Sequence, residues 1–386
     1  MSKRKRIVVK VGSSLLANEE MLTPRWAFIQ VLLDDIAKLR VDGYEVVLTS
    51  SGAVALGLNT IGVTAEEAGL RDRQAAAACG MPVLLNAYKQ VAHEQRFDIA
   101  QVLVTLRDLE ERRPFLNTKN TVHRLLEADV MPIVNENDSV TTEELRVGDN
   151  DRLAAKVAQM IQADYLVILT TVDGLYDRNP AESGAQIVET VEDVSRYLEV
   201  VQGVSALGSG GMLTKMQAAN MAQNTGCTTL IGHGVADRPV HSLINNKRIH
   251  TRCIAHAERE PDWKVWLTDR LQVAGSVVIK QGSADALETG SRGLSRGDII
   301  SIQGSYSNGD VIHIYDEAGV ERARGLSNFT AEETMVLARN PDGAAKDILG
   351  YQTSGTIVSV DNLVVLDDRH LPWDTPEEGE FLTVAG

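Results

Sequence analysis

The sequence predicts an α/β fold, in which an open, mostly parallel sheet carries helices on both faces and is followed by a small β-barrel-like domain. Over roughly the first 250 residues, short apolar segments alternate with helical segments, which is typical of a parallel sheet covered on both faces. From about Leu271 the segments become short, β-branched and punctuated by glycine, as in 275–279 and 310–315. This second pattern is typical of a small C-terminal β-barrel.

The same change of pattern divides the chain into segments. We predict an α/β domain over residues 1–258, a linker over 259–270, a β domain over 271–366 and a tail over 367–386. The linker contains a proline and two tryptophans, whereas the tail is acidic and contains prolines. That composition of the tail is typical of a chain end that does not pack.

The composition excludes several classes of protein. The chain has 386 residues, 38 of them basic and 53 acidic, with a formal net charge of −15. Broad affinity for nucleic acid or a membrane surface needs positive charge, and a membrane helix needs roughly 20 apolar residues, which no segment offers. The three cysteines are sparse, and with the eight histidines they lack metal-ligand spacing. We therefore expect a soluble cytoplasmic protein without a built-in metal site.

The first predicted strand ends in small polar residues. Residues 7–11 are apolar and β-branched except for Lys10, and Gly12 and Ser13 follow directly. A lysine in a buried strand is costly unless an anion meets it, and a glycine lets backbone N–H groups approach an oxygen-rich ligand. Lys10 is therefore a candidate phosphate contact. The alternative is an edge lysine whose ammonium group reaches water.

A helix is predicted after the first strand, and the second strand again runs into a glycine turn. Thr23 and Pro24 predict the start of a helix, with the threonine as its cap and the proline in its first turn. A second strand at 45–50 runs into Ser51 and Gly52, where a glycine turn precedes another helix. Free N–H groups and the positive end of the helix dipole favour an anion at such a position.

Two polar runs follow later strands. Asn135-Glu136-Asn137-Asp138 ends a strand predicted at 130–134, and Gly148-Asp149-Asn150-Asp151 opens a helix that reaches about Gln162. Ligands of parallel sheets bind beyond the carboxyl ends of the strands, where both runs fall. Together they form a candidate cluster that holds an ammonium group, orders lysines or faces magnesium. Ordinary turn and cap chemistry is the alternative for any single residue.

A glycine pair, Gly210 and Gly211, precedes a helix that carries Lys215 about one turn inside it. This pattern predicts a loop over a polyphosphate with a second cation, and the alternative is a plain turn with a solvated lysine. Two lysines without a catalytic histidine or cysteine indicate phosphoryl transfer, which needs positioning and charge neutralisation. We therefore expect the ammonium groups of Lys10 and Lys215 to converge on one phosphoryl group.

Six motifs, in order along the chain, resemble those of the amino acid kinase family, and their order is more specific than any one of them. The C-terminal domain resembles a PUA domain, and the two resemblances together cover most of residues 6–365. The motifs are Lys10-Val11-Gly12-Ser13-Ser14, Thr49-Ser50-Ser51-Gly52-Ala53-Val54, Asn135-Glu136-Asn137-Asp138, Gly148-Asp149-Asn150-Asp151-Arg152-Leu153, Asp173-Gly174-Leu175-Tyr176 and Gly210-Gly211-Met212-x-Thr214-Lys215.

The resemblance implies the amino acid kinase fold and an enzyme that uses ATP and Mg²⁺ to phosphorylate the side-chain carboxylate of L-glutamate, in the first step of proline biosynthesis. It implies that Lys10 and Lys215 neutralise the transferring group and that Asp151 holds both lysines. It assigns the substrate to Ser51, Gly52, Ala53, Asp138, Asp149 and Asn150. It assigns the nucleotide to Lys10, Gly12, Thr170, Thr171, Ser209, Gly210, Gly211, Met212, Leu213, Thr214 and Lys215.

The chain departs from the pattern of that family at four positions. Family members usually carry aspartate at the position of Thr171, glutamine at Met81, threonine at Ser209 and glycine at His250. These departures bear on substrate affinity and regulation more than on the type of reaction.

Two other functions fit the same residues. One is a kinase for N-acetylglutamate or aspartate, although the Asn-Glu-Asn-Asp run and the β-rich C-terminal domain favour glutamate. The other is an RNA-binding regulator, but residues 271–366 contain seven basic and twelve acidic residues, a net charge of −5 that disfavours RNA. The resemblance also implies a homo-oligomer, a dimer or a tetramer, that couples to the next enzyme, glutamate-5-semialdehyde dehydrogenase. From the negative charge and the composition we expect no RNA or membrane partner.

Overall fold

The computed structural model of the chain divides into two compact units, Met1–Asp262 and Trp263–Gly386. Apart from Leu267 and Leu382–Thr383, the predicted linker and tail lie outside the described residues. In the part of the chain that is described, no helix is long and apolar enough to cross a membrane. The described residues are 4–18, 22–140, 149–178, 182–198, 210–256, 267, 274–288, 292–366 and 382–383.

The first unit is built on an eight-stranded sheet. Its strands are β1 Arg6–Val11, β4 Glu45–Thr49, β5 Ile99–Val104, β6 Met131–Glu136, β7 Tyr165–Thr170, β8 Thr190–Val191, β9 Thr228–His233 and β10 Thr251–Cys253, while β2 Ala17–Asn18 and β3 Thr23–Pro24 form a separate pair. The order across the sheet is β5-β6-β4-β1-β7-β9-β10-β8. All neighbours are parallel except β9 and β10, so the prediction of a mostly parallel sheet is confirmed.

Strand β1 lies in the middle of the sheet, and its two faces meet different layers of helices. Ile7, Val9 and Val11 pack into the main core together with helices on one side of the sheet. Lys10 lies on the opposite face, because successive side chains of a strand alternate. The fully buried neighbours of Lys10 explain why the strand forms here and why the charge of Lys10 needs a partner.

Helices cover both faces of this sheet, as the sequence predicts. The main core contains residues of α2, α4 and α9, whereas α7 and α8 pack together on the other face, which Lys10 meets. The helices of the first unit are α1 Ser13–Leu16, α2 Trp26–Val41, α3 Ala53–Ile61, α4 Leu70–Glu94, α5 Leu106–Glu110, α6 Arg112–Glu127, α7 Asp149–Met160, α8 Gly210–Asn224 and α9 Pro239–Ile244.

The predicted start of a helix at Thr23 and Pro24 is wrong. These two residues form β3, which pairs with β2 in antiparallel register, and α2 begins two residues later at Trp26. Proline is tolerated in such a short edge strand because it need not donate to a ladder. The tertiary pairing with Ala17 and Asn18 therefore overrides a local signal that fits a helix cap equally well.

Two glycines bring α3 and α4 unusually close together. A Cβ atom on Gly57 would lie 1.8 Å from the carbonyl oxygen of Ala76, and one on Gly80 would lie 1.9 Å from that of Ala53. No side chain fits at either position, so the two helices meet backbone to backbone. As a result α4 lies directly against Ala53, the first residue of α3.

The second unit contains a six-stranded sheet in the order β17-β15-β14-β11-β13-β18 and a two-stranded sheet of β12 and β16. Its strands are β11 Gly275–Ile279, β12 Leu294–Ser295, β13 Ile299–Gly304, β14 Val311–Tyr315, β15 Glu321–Leu326, β16 Thr356–Val358, β17 Leu363–Val365 and β18 Leu382–Thr383, and its helices are α10 Gln281–Glu288, α11 Ala331–Arg339 and α12 Ala345–Leu349. The prediction that the chain after Leu271 is rich in β-strands is therefore confirmed.

Candidate active site

Three charged side chains from distant parts of the chain meet at the carboxyl edge of the first sheet. The Nζ atom of Lys10 lies 2.6 Å from Oδ1 of Asp151, and the Nζ atom of Lys215 lies 3.2 Å from Oδ2 of the same carboxylate. Lys10 is 6% exposed and Asp151 is 1% exposed. The two ammonium groups therefore share one buried counterion, as expected if they converge on one anion.

Each residue of this cluster is placed by its own element. Lys10 is the penultimate residue of β1, between Thr49 of β4 and Ile168 of β7. Asp151 lies in the first turn of α7, where the helix dipole favours a carboxylate. Lys215 lies in the second turn of α8 and also donates to the carbonyl oxygen of Gly211 at 2.8 Å.

Thr214 completes the contacts of the shared carboxylate. Its hydroxyl lies 2.9 Å from Oδ2 of Asp151 and 3.2 Å from the carbonyl oxygen of Gly211. Lys10 thus contacts one oxygen of Asp151, while Thr214 and Lys215 contact the other. The resemblance places Thr214 at the nucleotide, and its contact with Asp151 is one that sequence reasoning missed.

Burial and the neighbouring charges shift the pKa values of Asp151 and Lys215. Burial alone would raise the pKa of Asp151, but Lys10, Lys215 and the hydroxyl of Thr214 hold that pKa below its usual value. Burial lowers the pKa of Lys215, and Lys10 lowers it further, whereas Asp151 partly offsets both effects. With two ammonium groups and one carboxylate, the cluster carries one excess positive charge and suits an anion.

Two glycine-containing turns lie side by side next to this cluster. Gly52 has φ of +97°, a left-handed conformation that favours glycine, and it precedes the first turn of α3. A Cβ atom on Gly52 would lie 3.7 Å from Cα of Ser13, in the turn that follows β1. The turns after β1 and β4 are therefore in contact, as their neighbouring strands require.

The residues that the resemblance assigns to the substrate lie along the same edge. Ser51 is buried directly after β4, and Ala53 is buried at the start of α3. Asp138 is half-buried in the turn after β6, and Asn150 is half-buried in the first turn of α7. The segment between them, 141–148, and the side chain of Asp149 lie outside the described residues.

The residues assigned to the nucleotide follow β7 and open α8. Thr170 is the last residue of β7, opposite His233 of β9, and Thr171 is exposed just beyond it. Gly12 caps the single turn α1, while Gly210, Gly211, Met212 and Leu213 form the first turn of α8. Ser209 lies outside the described residues.

A buried threonine anchors the segment that follows Thr171. The hydroxyl of Thr251 accepts a hydrogen bond from the N–H of Leu175 at 2.7 Å and donates one to the carbonyl oxygen of Val188 at 2.8 Å. A Cβ atom on Gly174 would lie 2.5 Å from that hydroxyl, so glycine is required there. The Asp-Gly-Leu-Tyr motif is thereby fixed to β10, a contact that the motif alone does not reveal.

Two residues of α4 also contact polar residues at this edge and belong to none of the six motifs. The hydroxyl of Tyr88 lies 2.9 Å from Oγ of Ser50, and Nδ2 of Asn135 donates to Sδ of Met81 at 3.3 Å. The only sequence signal was that Met81 stands where family members carry glutamine.

Comparisons with known proteins identify chains that are similar to this one over most of its length. The glutamate 5-kinase of Paraburkholderia xenovorans (strain LB400) is 40% identical over 370 residues, which is 94% of this chain and 98% of that protein. The glutamate 5-kinase of Nitrosomonas eutropha (strain DSM 101675 / C91 / Nm57) is 39% identical over 368 residues, with the same coverage. A solved structure of carbamate kinase from Giardia lamblia bound to AMP-PNP matches with a TM-score of 0.45 and 19% identity, over 66% of this chain and 99% of that one.

Family models match both units of the chain. Residues 5–233 match the model described as the amino acid kinase family, and residues 275–346 match that of the PUA domain. The first match covers more than half of the chain, and the curated relatives cover almost all of it. The chain therefore belongs to the amino acid kinase family.

Proposed function

We propose that the chain is a glutamate 5-kinase, which transfers the γ-phosphoryl group of ATP to the side-chain carboxylate of L-glutamate. The products are L-glutamyl 5-phosphate and ADP, in the first step of proline biosynthesis. The observation that supports this most strongly is the meeting of Lys10 and Lys215 on the carboxylate of Asp151. The curated relatives of that name, similar along 94% of this chain, support the choice of glutamate over other amino acids.

The chemistry needs positioning and charge more than proton transfer. The side-chain carboxylate of glutamate, with a usual pKa of about 4.3, is already ionised at neutral pH, so no general base is required. Phosphoryl transfer spreads negative charge over three oxygens and two flanking atoms, and fixed cations stabilise it. Lys10 and Lys215 supply these cations, and Asp151 keeps their ammonium groups close enough to act on one phosphoryl group.

The remaining assignments follow the positions of the turns. We propose that the hydroxyl of Ser51 and the N–H groups of Gly52 and Ala53 meet a carboxylate of the substrate, because they open α3 at its positive end. Asp138, Asp149 and Asn150 would hold the ammonium end, together with Asn135. Gly12 and the residues Thr170, Thr171 and 209–215 would line the nucleotide.

Magnesium would enter this site with the nucleotide. Among the described residues, no group of three or more His, Cys, Asp or Glu side chains is placed to hold a metal ion, and Asp151 is committed to two lysines. Mg²⁺ commonly binds through substrate phosphates and keeps several waters. We therefore infer that phosphate oxygens hold it, where it neutralises part of the polyphosphate charge.

An assay of the purified chain tests the proposal. ADP release is measured with ATP, Mg²⁺ and a panel of L-glutamate, L-aspartate and N-acetyl-L-glutamate, and hydroxylamine traps any acyl phosphate as a hydroxamate. We expect ADP and hydroxamate in equal amounts with L-glutamate alone. Turnover of N-acetyl-L-glutamate or L-aspartate in preference to L-glutamate would show that the chain is a kinase for that amino acid instead.

Replacing Asp138 by alanine is expected to raise the KM for glutamate roughly tenfold or more, since a hydrogen bond to a charged group contributes about 1.5–3 kcal/mol. The KM for ATP and the kcat should stay close to those of the wild type. Asp138→Asn keeps the shape of the side chain but not its charge, and it should behave similarly. Steady-state kinetics with each substrate varied in turn check this. A change confined to the KM for ATP would indicate that Asp138 contacts the nucleotide instead of glutamate.

The kcat/KM for ATP is expected to fall at alkaline pH, with an apparent pKa below the usual lysine value of about 10.4. Lys215 acts as a cation, and burial lowers its pKa, so its charge is lost earlier as pH rises. Lys215→Arg should shift this alkaline decrease in kcat/KM to higher pH, because the guanidinium group stays protonated. A pH profile of kcat/KM for both proteins checks this, and identical alkaline limbs would contradict it.

A further inference from the structure

On the faces of β4 and β6 that line the main core, a polar residue follows the last core residue at the carboxyl edge of the sheet. Leu48 and Ile133 belong to the main core. Because side chains alternate along a strand, the next residues on that face are Ser50 and Asn135. Both are almost completely buried, with Asn135 only 2% exposed.

Helix α4 supplies a partner to each of these polar side chains. Tyr88 contacts Ser50 through the two hydroxyls, and Met81 contacts Asn135 through its sulfur atom. Met81 and Tyr88 are seven residues apart, two turns of helix, and therefore lie on one face of α4.

The sulfur contact fixes which way the carboxamide of Asn135 is turned. A thioether accepts a hydrogen bond but cannot donate one, so it favours the orientation with Nδ2 toward Met81. The opposite orientation would place two acceptors, Oδ1 and Sδ, against each other. In this orientation Oδ1 is the end of the carboxamide that does not contact Met81, and it has no hydrogen-bond partner among the residues that the structure describes.

A glutamine at position 81 would not impose this orientation. Its amide group both donates and accepts, so it can pair with either end of the Asn135 carboxamide. A buried acceptor left without a donor costs free energy, and a ligand that donates to it recovers that cost. The oxygen of Asn135 is thus a hydrogen-bond acceptor that lacks a donor, at the edge of the sheet where the substrate is proposed to lie.

We propose that Met81 is a positioning residue that holds the Asn135 carboxamide with its oxygen toward the substrate, and that this favours an amino acid with a free ammonium group. The inference rests on the proposed function. The ammonium donates a hydrogen bond to Oδ1 of Asn135, whereas an N-acylated or deaminated analogue lacks that charged donor. Met81 therefore acts on substrate selectivity without touching the substrate.

The test compares Met81→Leu and Met81→Ala with Met81→Gln, using L-glutamate and glutarate, which lacks the ammonium group. The first two variants remove the acceptor, and each should raise the KM for glutamate roughly three- to tenfold, the range expected for one hydrogen bond. The kcat, the KM for ATP and the kcat/KM for glutarate should stay within twofold. Met81→Gln offers an acceptor but does not impose the orientation, so its KM for glutamate should lie between those of the wild type and Met81→Leu.

A double-mutant cycle identifies the residue through which Met81 acts. In an Asn135→Ala background, Met81→Leu should change the KM for glutamate by less than twofold, because the group that it positions is absent. Additive effects, or an unchanged KM in both Met81→Leu and Met81→Ala, would overturn the inference. Those results would leave the proposed function intact if the wild type phosphorylates glutamate, whereas a wild type inactive on glutamate would overturn both.

Discussion

Replacement of Lys215 by alanine is expected to lower kcat by roughly 10²- to 10³-fold, because one fixed contact to developing charge contributes about 2.7–4 kcal/mol in the transition state. The side chain of Lys215 is 12% exposed and pairs with Asp151. The fold should survive, since Lys10 remains to balance the carboxylate of Asp151. Single-turnover and steady-state kinetics measure the loss, and circular dichroism with thermal unfolding checks the structure.

A matched control for this variant exists on the surface. Lys38 forms an exposed ion pair with Asp42 in α2, and Lys38→Ala should leave kcat unchanged. Lys215→Arg keeps the charge but replaces a compact ammonium by a planar group, and it should recover only part of the rate. A Lys215→Ala variant that is folded and within tenfold of the wild-type kcat would remove Lys215 from the proposed role.

Asp151→Asn is expected to lower both activity and stability. The amide leaves Lys10 and Lys215 buried without a counterion, and breaking a buried ion pair costs about 3–5 kcal/mol in the free energy of unfolding. We expect kcat to fall at least as far as in Lys215→Ala, because neither ammonium group is held in place. Urea unfolding and kinetics at pH 7 measure the two effects, and Asp42→Asn serves as the exposed control.

The stability lost in Asp151→Asn should depend on pH in a defined direction. The pKa of Asp151 is lower in the folded chain than its usual value of about 3.9, so its carboxylate stabilises the fold above that pH. As pH falls through the lowered pKa the carboxylate gains a proton, and this contribution disappears. The difference in the free energy of unfolding between wild type and variant should therefore be constant near neutral pH and become smaller below about pH 4. A difference that grows on acidification would contradict this prediction.

The sequence predicted the sheet of the first unit well because strands buried on both faces leave a strong signal. The run at β1 is apolar and β-branched, and the strand predicted at 45–50 agrees to within one residue with β4, Glu45–Thr49. β10 has only three residues and gives no comparable pattern. In the second unit, α11 was missed although Thr330 and Glu333 form a capping box, since the surrounding segments are strands.

The two-lysine site could be predicted because its residues follow strand ends or open helices, where parallel sheets bind ligands. The contacts of Met81, Tyr88 and Thr251 could not be predicted in this way. Each is a single side chain within a regular element, and its partner is 38 to 76 residues away along the chain. Periodicity shows which face of an element is buried, but it does not show which atom of a distant strand lies opposite.

The central place of β1 has a consequence for synthesis. Its partner β7 ends at Thr170, so β1 must wait for the synthesis of more than 150 further residues before both of its edges are paired. At about 5–20 residues per second this interval lasts on the order of 10–30 s. An unpaired strand edge exposes N–H and C=O groups that can pair with other chains, so we expect the nascent polypeptide to be most prone to association during that time.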